Sequence, residues 1–107
     1  MTDSEFEVLA DAALAALERA VEALDLDLDV QRKAAGVLEL EFGDGSKMIV
    51  NRHAAAREIW VAAKSGGFHF RHDGRAWRDT RDGAELFASL SRLVSAQSGS
   101  LVRLAPG

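Results

Sequence analysis

Glu18, Glu22, Asp25, Asp27 and Asp29 follow one another in a short stretch whose only base is Arg19. With Glu7 and Asp11 upstream, the first of these carboxylates are spaced 4, 7, 4 and 3 positions apart as far as Asp25. On a helix that spacing gathers them into one stripe. The segment Leu24-Asp25-Leu26-Asp27-Leu28-Asp29-Val30 then alternates strictly, so an extended chain would carry the stripe on along one edge. Carboxylates without cysteine or a neighbouring histidine are hard oxygen donors, suited to divalent or trivalent hard cations. The plain alternative is a solvated face that keeps the chain soluble. Against it, like charges four apart on a helix cost about 0.2–0.5 kcal/mol per pair, and here they recur almost without a compensating base.

Spacing also limits what the edge could hold. Same-side positions on a strand are about 6.6 Å apart, whereas the oxygens around one ion lie about 3 Å from each other. The pattern therefore predicts several open, hydrated, weak sites and no closed cage.

A second candidate is Trp60. In Glu58-Ile59-Trp60-Val61, alternation sends Ile59 and Val61 one way and Glu58 with Trp60 the other. If the aliphatic pair faces the core, Trp60 lies on the opposite sheet face with Asn51 and Arg52 of a neighbouring strand beside it, an arrangement that suits a protein-docking hot spot. If not, Trp60 is buried or covers a neighbouring strand, and spacing alone leaves both open. Trp77 reads as core. His53, His69 and His72 share no ligand spacing, and His69 and His72 fall on opposite faces of a strand. Gly43-Asp44-Gly45-Ser46-Lys47 lacks the spacing of a phosphate-binding loop, and no nucleophile elbow occurs. Enzyme chemistry has little support here.

The net charge of −4 hides an asymmetry. Residues 1–30 hold nine acids and one base, and the remainder carries a net positive charge. An acidic end of this size disfavours nucleic acid, whose binding rests on cations meeting phosphates, and favours metal cations or a basic protein. The acidic start lacks the pattern of a signal peptide, no apolar run is long enough to span a bilayer, and cysteine is absent. Together these features give the expectation of a soluble cytoplasmic protein in a reducing compartment.

Ser4 and Glu7 have the form of a capping box, and Phe6, Leu9, Ala10, Ala13, Leu14, Leu17 and Val21 recur at helical spacing, which predicts a helix over roughly 4–23. Leu38, Leu40 and Phe42 alternate with Glu39 and Glu41; the turn at 43–46 leads into a returning strand at 47–52. A strand over 58–63, a turn at Gly66-Gly67, a strand over 68–71, a turn at Asp73-Gly74 and a strand over 75–79 follow. Asp82 with Glu85 suggests a second capping box, opening a helix to about Gln97, and the tail from about 98 reads as irregular. Leu101, Val102 and Leu104 could there cover an edge of the core. The order predicts one α+β domain over residues 1–107. The expected architecture is a two-layer α-β sandwich, with two terminal helices on one face of an antiparallel sheet of about six strands and the segment 24–30 as the first edge strand or the lead into it.

Several segments, namely DSEFEVLAD (3–11), GVLELEF (36–42), DGSKMIVNR (44–52), EIWVAAKSGGFHF (58–70) and DGAELF (82–87), together resemble the frataxin family in its bacterial form. The resemblance implies the same two-layer fold, weak and exchangeable ferrous and ferric iron binding on an acidic ridge, and a non-enzymatic role in iron–sulfur cluster assembly. It implies the cysteine desulfurase and the scaffold machinery as partners, regulation of the desulfurase, iron donation, and a monomer in the absence of metal. By position the ridge maps to Asp3, Glu7, Asp11, Glu18, Glu22, Asp25, Asp27 and Asp29. Partner contacts map to Glu18, Glu22, Asn51, Arg52 and Trp60. Arg19 and Ala23 stand where acids are common in the family, basic residues follow Asp29, Leu26 and Leu28 replace small polar residues, and His53 replaces glutamine. Fewer carboxylates imply fewer or weaker iron sites. The other reading is an acidic interaction module that binds a basic partner without physiological metal.

Overall fold

The computed structural model describes residues 1–106. Helix α1 (Asp3–Glu22) is followed by six strands, β1 (Leu28–Ala34), β2 (Val37–Phe42), β3 (Lys47–His53), β4 (Glu58–Ala63), β5 (Gly66–His72) and β6 (Trp77–Asp79), and then by helix α2 (Leu86–Ser98). The strands form one antiparallel sheet in the order β1-β2-β3-β4-β5-β6. Each connection is a hairpin, as expected where short turns separate alternating segments. Both helices lie on one sheet face, and the predicted sandwich is the observed architecture.

Alternation decides which side chains meet the helices. Leu38, Leu40 and Phe42 of β2, Met48 and Val50 of β3, Ile59 and Val61 of β4, and Phe70 of β5 are buried against Phe6, Ala10, Leu14, Leu17 and Val21 of α1 and Leu86, Leu90 and Val94 of α2. Trp77 is also buried, meeting the ring of Phe6 edge-on at 6.0 Å. Leu24, Leu26, Leu28 and Val30 pack at the margin of this core, so the alternating segment does present its leucines inward. Extended pairing begins only at Leu28, however, and Asp25 to Asp27 lie in the connection from α1.

Local chemistry moves several boundaries. The first capping box is Thr2 with Glu5, not Ser4 with Glu7, so α1 starts one residue early. Asp82 accepts from the amide of Ala84 within a turn. Glu85 caps α2 itself, accepting from the amides of Phe87 and Ala88. Lys64-Ser65 makes the β4–β5 turn, and Gly66-Gly67 belong to β5, paired with Ala63 and Ala62. The tail has no regular structure, yet Val102 and Leu104 are buried while Leu101 points into solvent.

Candidate functional site

Two surfaces gather the predicted residues: the acidic edge along α1 into β1, and the sheet face away from the helices. On the acidic edge the N-terminal carboxylates are already engaged by arginines from the sheet. Arg57 in the β3–β4 turn donates to Asp3 at 2.9 and 3.1 Å. Its φ of +54° is unusual for a residue with a side chain, a conformation costing on the order of 1–2 kcal/mol. Arg52 of β3 holds both oxygens of Asp11, at 2.8 and 2.7 Å, and lies 3.3 Å from Glu7. Arg32 of β1 donates to Glu18 at 2.9 Å.

Further along, the compensation stops. Among the described residues, no Lys, Arg or His nitrogen pairs with Glu22, Asp25, Asp27 or Asp29. All four are exposed. The register adds a carboxylate that sequence reading left out: Glu41 of β2 stands directly across from Asp29 of β1, exposed and equally unpaired. The hairpin pairing Leu28 with Phe42 was the signal that could have found it, once β1 was placed as the partner of β2. Among the described residues, no three His, Asp or Glu side chains converge on a common ion position. The edge thus presents separate oxygen donors, chemistry that fits a hydrated hard cation.

Arg52 requires a correction. The expectation set it beside Trp60, but Met48, Val50 and Arg52 alternate toward the helices, and Arg52 reaches α1. It is therefore absent from the open face. Asn51 is there, in register with Trp60.

On that open face Trp60 is half-buried between two imidazoles. His53 of β3 stacks on one side at 3.7 Å and His69 of β5 on the other at 4.5 Å, each 11° from parallel. Beneath the stack Glu58 is buried, 6% exposed, although it shares the open face. The indole N–H of Trp60 donates to Glu58 Oε1 at 2.9 Å, and Arg71 donates to Oε2 at 2.8 Å. Burial raises the Glu58 pKa, but these hydrogen bonds and the Arg71 charge outweigh it and leave the carboxyl below its ordinary value. Glu58 thus fixes the indole in plane. Alternation correctly placed its backbone position, but not its burial, which comes from side chains on three strands. His72 lies on the other face, edge-on to Trp77 at 5.1 Å.

Comparison with known proteins adds independent findings. The family model of the frataxin-like domain matches residues 1–100. The iron-sulfur cluster assembly protein CyaY of Dechloromonas aromatica is 60% identical over 104 residues, covering 97% of this chain and 99% of that protein. The protein of the same name from Cupriavidus metallidurans is 52% identical, covering 97% and 96%. Among solved structures, frataxin from Psychromonas ingrahamii superposes with a TM-score of 0.89 at 32% identity, over 98% of this chain and 99% of that one. Trimeric frataxin from the yeast Saccharomyces cerevisiae, complexed with ferrous iron, gives 0.67 at 28% identity, over 90% and 87%.

Proposed function

The chain belongs to the frataxin family, and from that premise we propose that it serves iron–sulfur cluster assembly as an iron-binding, non-enzymatic regulator of the cysteine desulfurase and a donor of iron to the scaffold machinery. The carrying observation is the row of carboxylates that runs along α1, through the connection after it and into β1. Asp3, Glu7, Asp11, Glu18, Glu22, Asp25, Asp27 and Asp29 form it, and its last four members have no cationic partner among the described residues. Iron is cargo here. Ferrous or ferric ions bind through one or two carboxylates and keep water as their remaining ligands, so they exchange readily. Glu18, Glu22 and the face around Trp60 and Asn51 meet the partner: the acids steer a basic patch, and the fixed indole supplies a desolvated anchor. The protein works in the cytoplasm, as a monomer without metal; no helix among the described residues is long and apolar enough to cross a membrane.

Anaerobic thermal melting with ferrous iron tests the iron reading. Bound iron should stabilise the fold by about 2.7 kcal/mol at a hundred times the dissociation constant. A melting temperature that rises no further than at matched ionic strength would leave the alternative, an acidic module that binds a basic partner and no metal.

A further inference from the structure

The indole of Trp60 is bracketed by two imidazoles that can each take up a proton, and the two are bonded differently. On the β3 side, His53 Nδ1 accepts the amide of Ala56 at 3.3 Å. That nitrogen is therefore unprotonated, and a proton arriving there would break the bond. On the β5 side, His69 Nδ1 lies 3.5 Å from Glu58 Oε1, the oxygen that also accepts the indole N–H at 2.9 Å. A proton on His69 would turn its Nδ1 into a second donor to the oxygen that tethers the indole. Each imidazole lies 11° from parallel with the indole, whose negative face attracts a cation.

The charges around the stack include no uncommitted anion for these protons among the described residues. Glu58 stands in register with both His53 and Arg71, and Arg71 already donates to it at 2.8 Å. Its carboxyl is held below its ordinary value and stays ionised at neutral and weakly acidic pH. Beyond His69 stands Arg81, which lines a shallow hollow with it and donates to the Gly67 carbonyl at 2.9 Å. Arg57, in the turn after His53, is committed to Asp3 on the helix side. Elsewhere on the face Lys33 and Lys47 flank Glu39, and Arg78 sits 3.4 Å from Asp73; Asp29 and Glu41 lie at its far edge. Imidazole gains its proton as pH falls from about 8 to 5. On the open face the added charge is hydrated; beneath a partner it would lose that water with no counter-ion beside it, which disfavours the complex.

Resting on the reading that this face receives the desulfurase, we propose that His53 and His69 make its docking proton-sensitive: the face binds with both imidazoles neutral, and protonation in the weakly acidic range releases the partner. Acid acts in two ways. It places uncompensated positive charge against the anchor, facing a partner that the acidic edge selects for its basic residues. It also sets His69 to compete with Trp60 for one carboxylate oxygen, which loosens the tether that orients the indole.

Two measurements test this. In the full chain alone, the indole N–H resonance of Trp60 should move as pH falls from about 8 to 5 and hold nearly still in His69→Gln; the resonance of Trp77, whose neighbour is His72, is separate. Calorimetric titration with the cysteine desulfurase should give an affinity about tenfold lower at pH 5.5 than at 7.5, the scale of one proton displaced over that interval. The double variant His53→Gln, His69→Gln keeps planar polar side chains that cannot be charged, and its drop should shrink to about twofold or less. Titration of the partner's own groups is common to both proteins, so the difference belongs to the two histidines. Either single variant serves if the double variant does not fold, each removing part of the drop. An equal pH dependence in the variant and the unaltered chain would overturn the proposal while the docking reading stands, as would a Trp60 resonance that moves identically in His69→Gln. If the desulfurase binds at no pH, or binds Trp60→Ala as tightly as the unaltered chain, the docking reading itself fails and the proposal with it.

Discussion

The imidazole of His53 lies flat on the indole of Trp60, centroids 3.7 Å apart, and that indole in turn donates its N–H to the buried carboxylate of Glu58. An aromatic ring clamped from both sides and tethered at its edge has lost most of its rotamer freedom before any partner arrives. Docking on it then costs little ordering entropy. Trp60→Ala should weaken desulfurase binding by about 30-fold or more, the scale of an interface anchor, and His53→Ala by a smaller factor. Glu18→Lys with Glu22→Lys should weaken it most at low salt. Calorimetric titration, with melting curves to show that each variant folds, measures these effects. Unchanged affinity in both the tryptophan and the lysine variants would remove the docking assignment.

The contrast between Trp60 and Arg52 shows what was legible in the sequence. Period-two alternation placed Ile59 and Val61 inward and Trp60 outward, because the face of a strand residue follows from parity alone. The same rule, applied from Val50, would have sent Arg52 to the helix side; adjacency in sequence to Asn51 obscured it. The carboxylate stripe on α1 was readable from helical spacing, but its pairing with Arg32, Arg52 and Arg57 was not. Those contacts span 14, 41 and 54 positions and exist only once α1 lies across the sheet. Glu41 was missed for a related reason: β1 reads weakly as a strand through Gln31-Arg32-Lys33, so its register against β2 could not be set in advance.

The C-terminal tail should stabilise the domain despite lacking regular structure. The Ser91 hydroxyl accepts the amide of Leu104 at 2.8 Å, and the Ser95 hydroxyl that of Val102, also at 2.8 Å. These bonds dock an extended segment on α2 and set Val102 and Leu104 into the core while Leu101 remains outside. Leu104→Ala should cost about 2–4 kcal/mol, as for other buried leucines. Leu101→Ser should change stability by less than about 0.5 kcal/mol. Denaturant unfolding of both variants measures the difference, and equal effects would mean that the tail is not docked in solution.

Ser89 presents the opposite case. It is fully buried on α2, and its hydroxyl has no hydrogen-bond partner among the described residues. A buried unpaired polar group costs about 1–3 kcal/mol, and alanine is also the better helix former. Ser89→Ala should therefore raise stability by about 1 kcal/mol, seen as a melting temperature higher by about 4–8 °C for a domain of this size. A lower melting temperature would show that the hydroxyl has found a partner, such as a trapped water.

Acid stability follows from carboxylates whose charged form the fold favours. Asp73 in the β5–β6 turn accepts the amides of Ala76 and Arg75, with Arg78 alongside, and its pKa is lowered from 3.8 to about 2. Burial would raise Glu58, yet the bonds from Trp60 and Arg71 carry it below its ordinary 4.5. A group depressed in the folded state binds fewer protons folded than unfolded, so its contribution is complete above the ordinary pKa and is lost as pH falls through the folded one. The share due to Glu58 should begin to fade below about pH 4.5, and that due to Asp73 should fade between about pH 4 and 2. Melting temperatures from pH 7 to 2 should show Asp73→Asn with a shallower decline in the lower window, and Glu58→Gln with a shallower onset near 4.5. If both variants decline in parallel with the unaltered chain, neither carboxylate supplies the acid sensitivity, and the charge of Glu58 is then dispensable for holding the Trp60 indole.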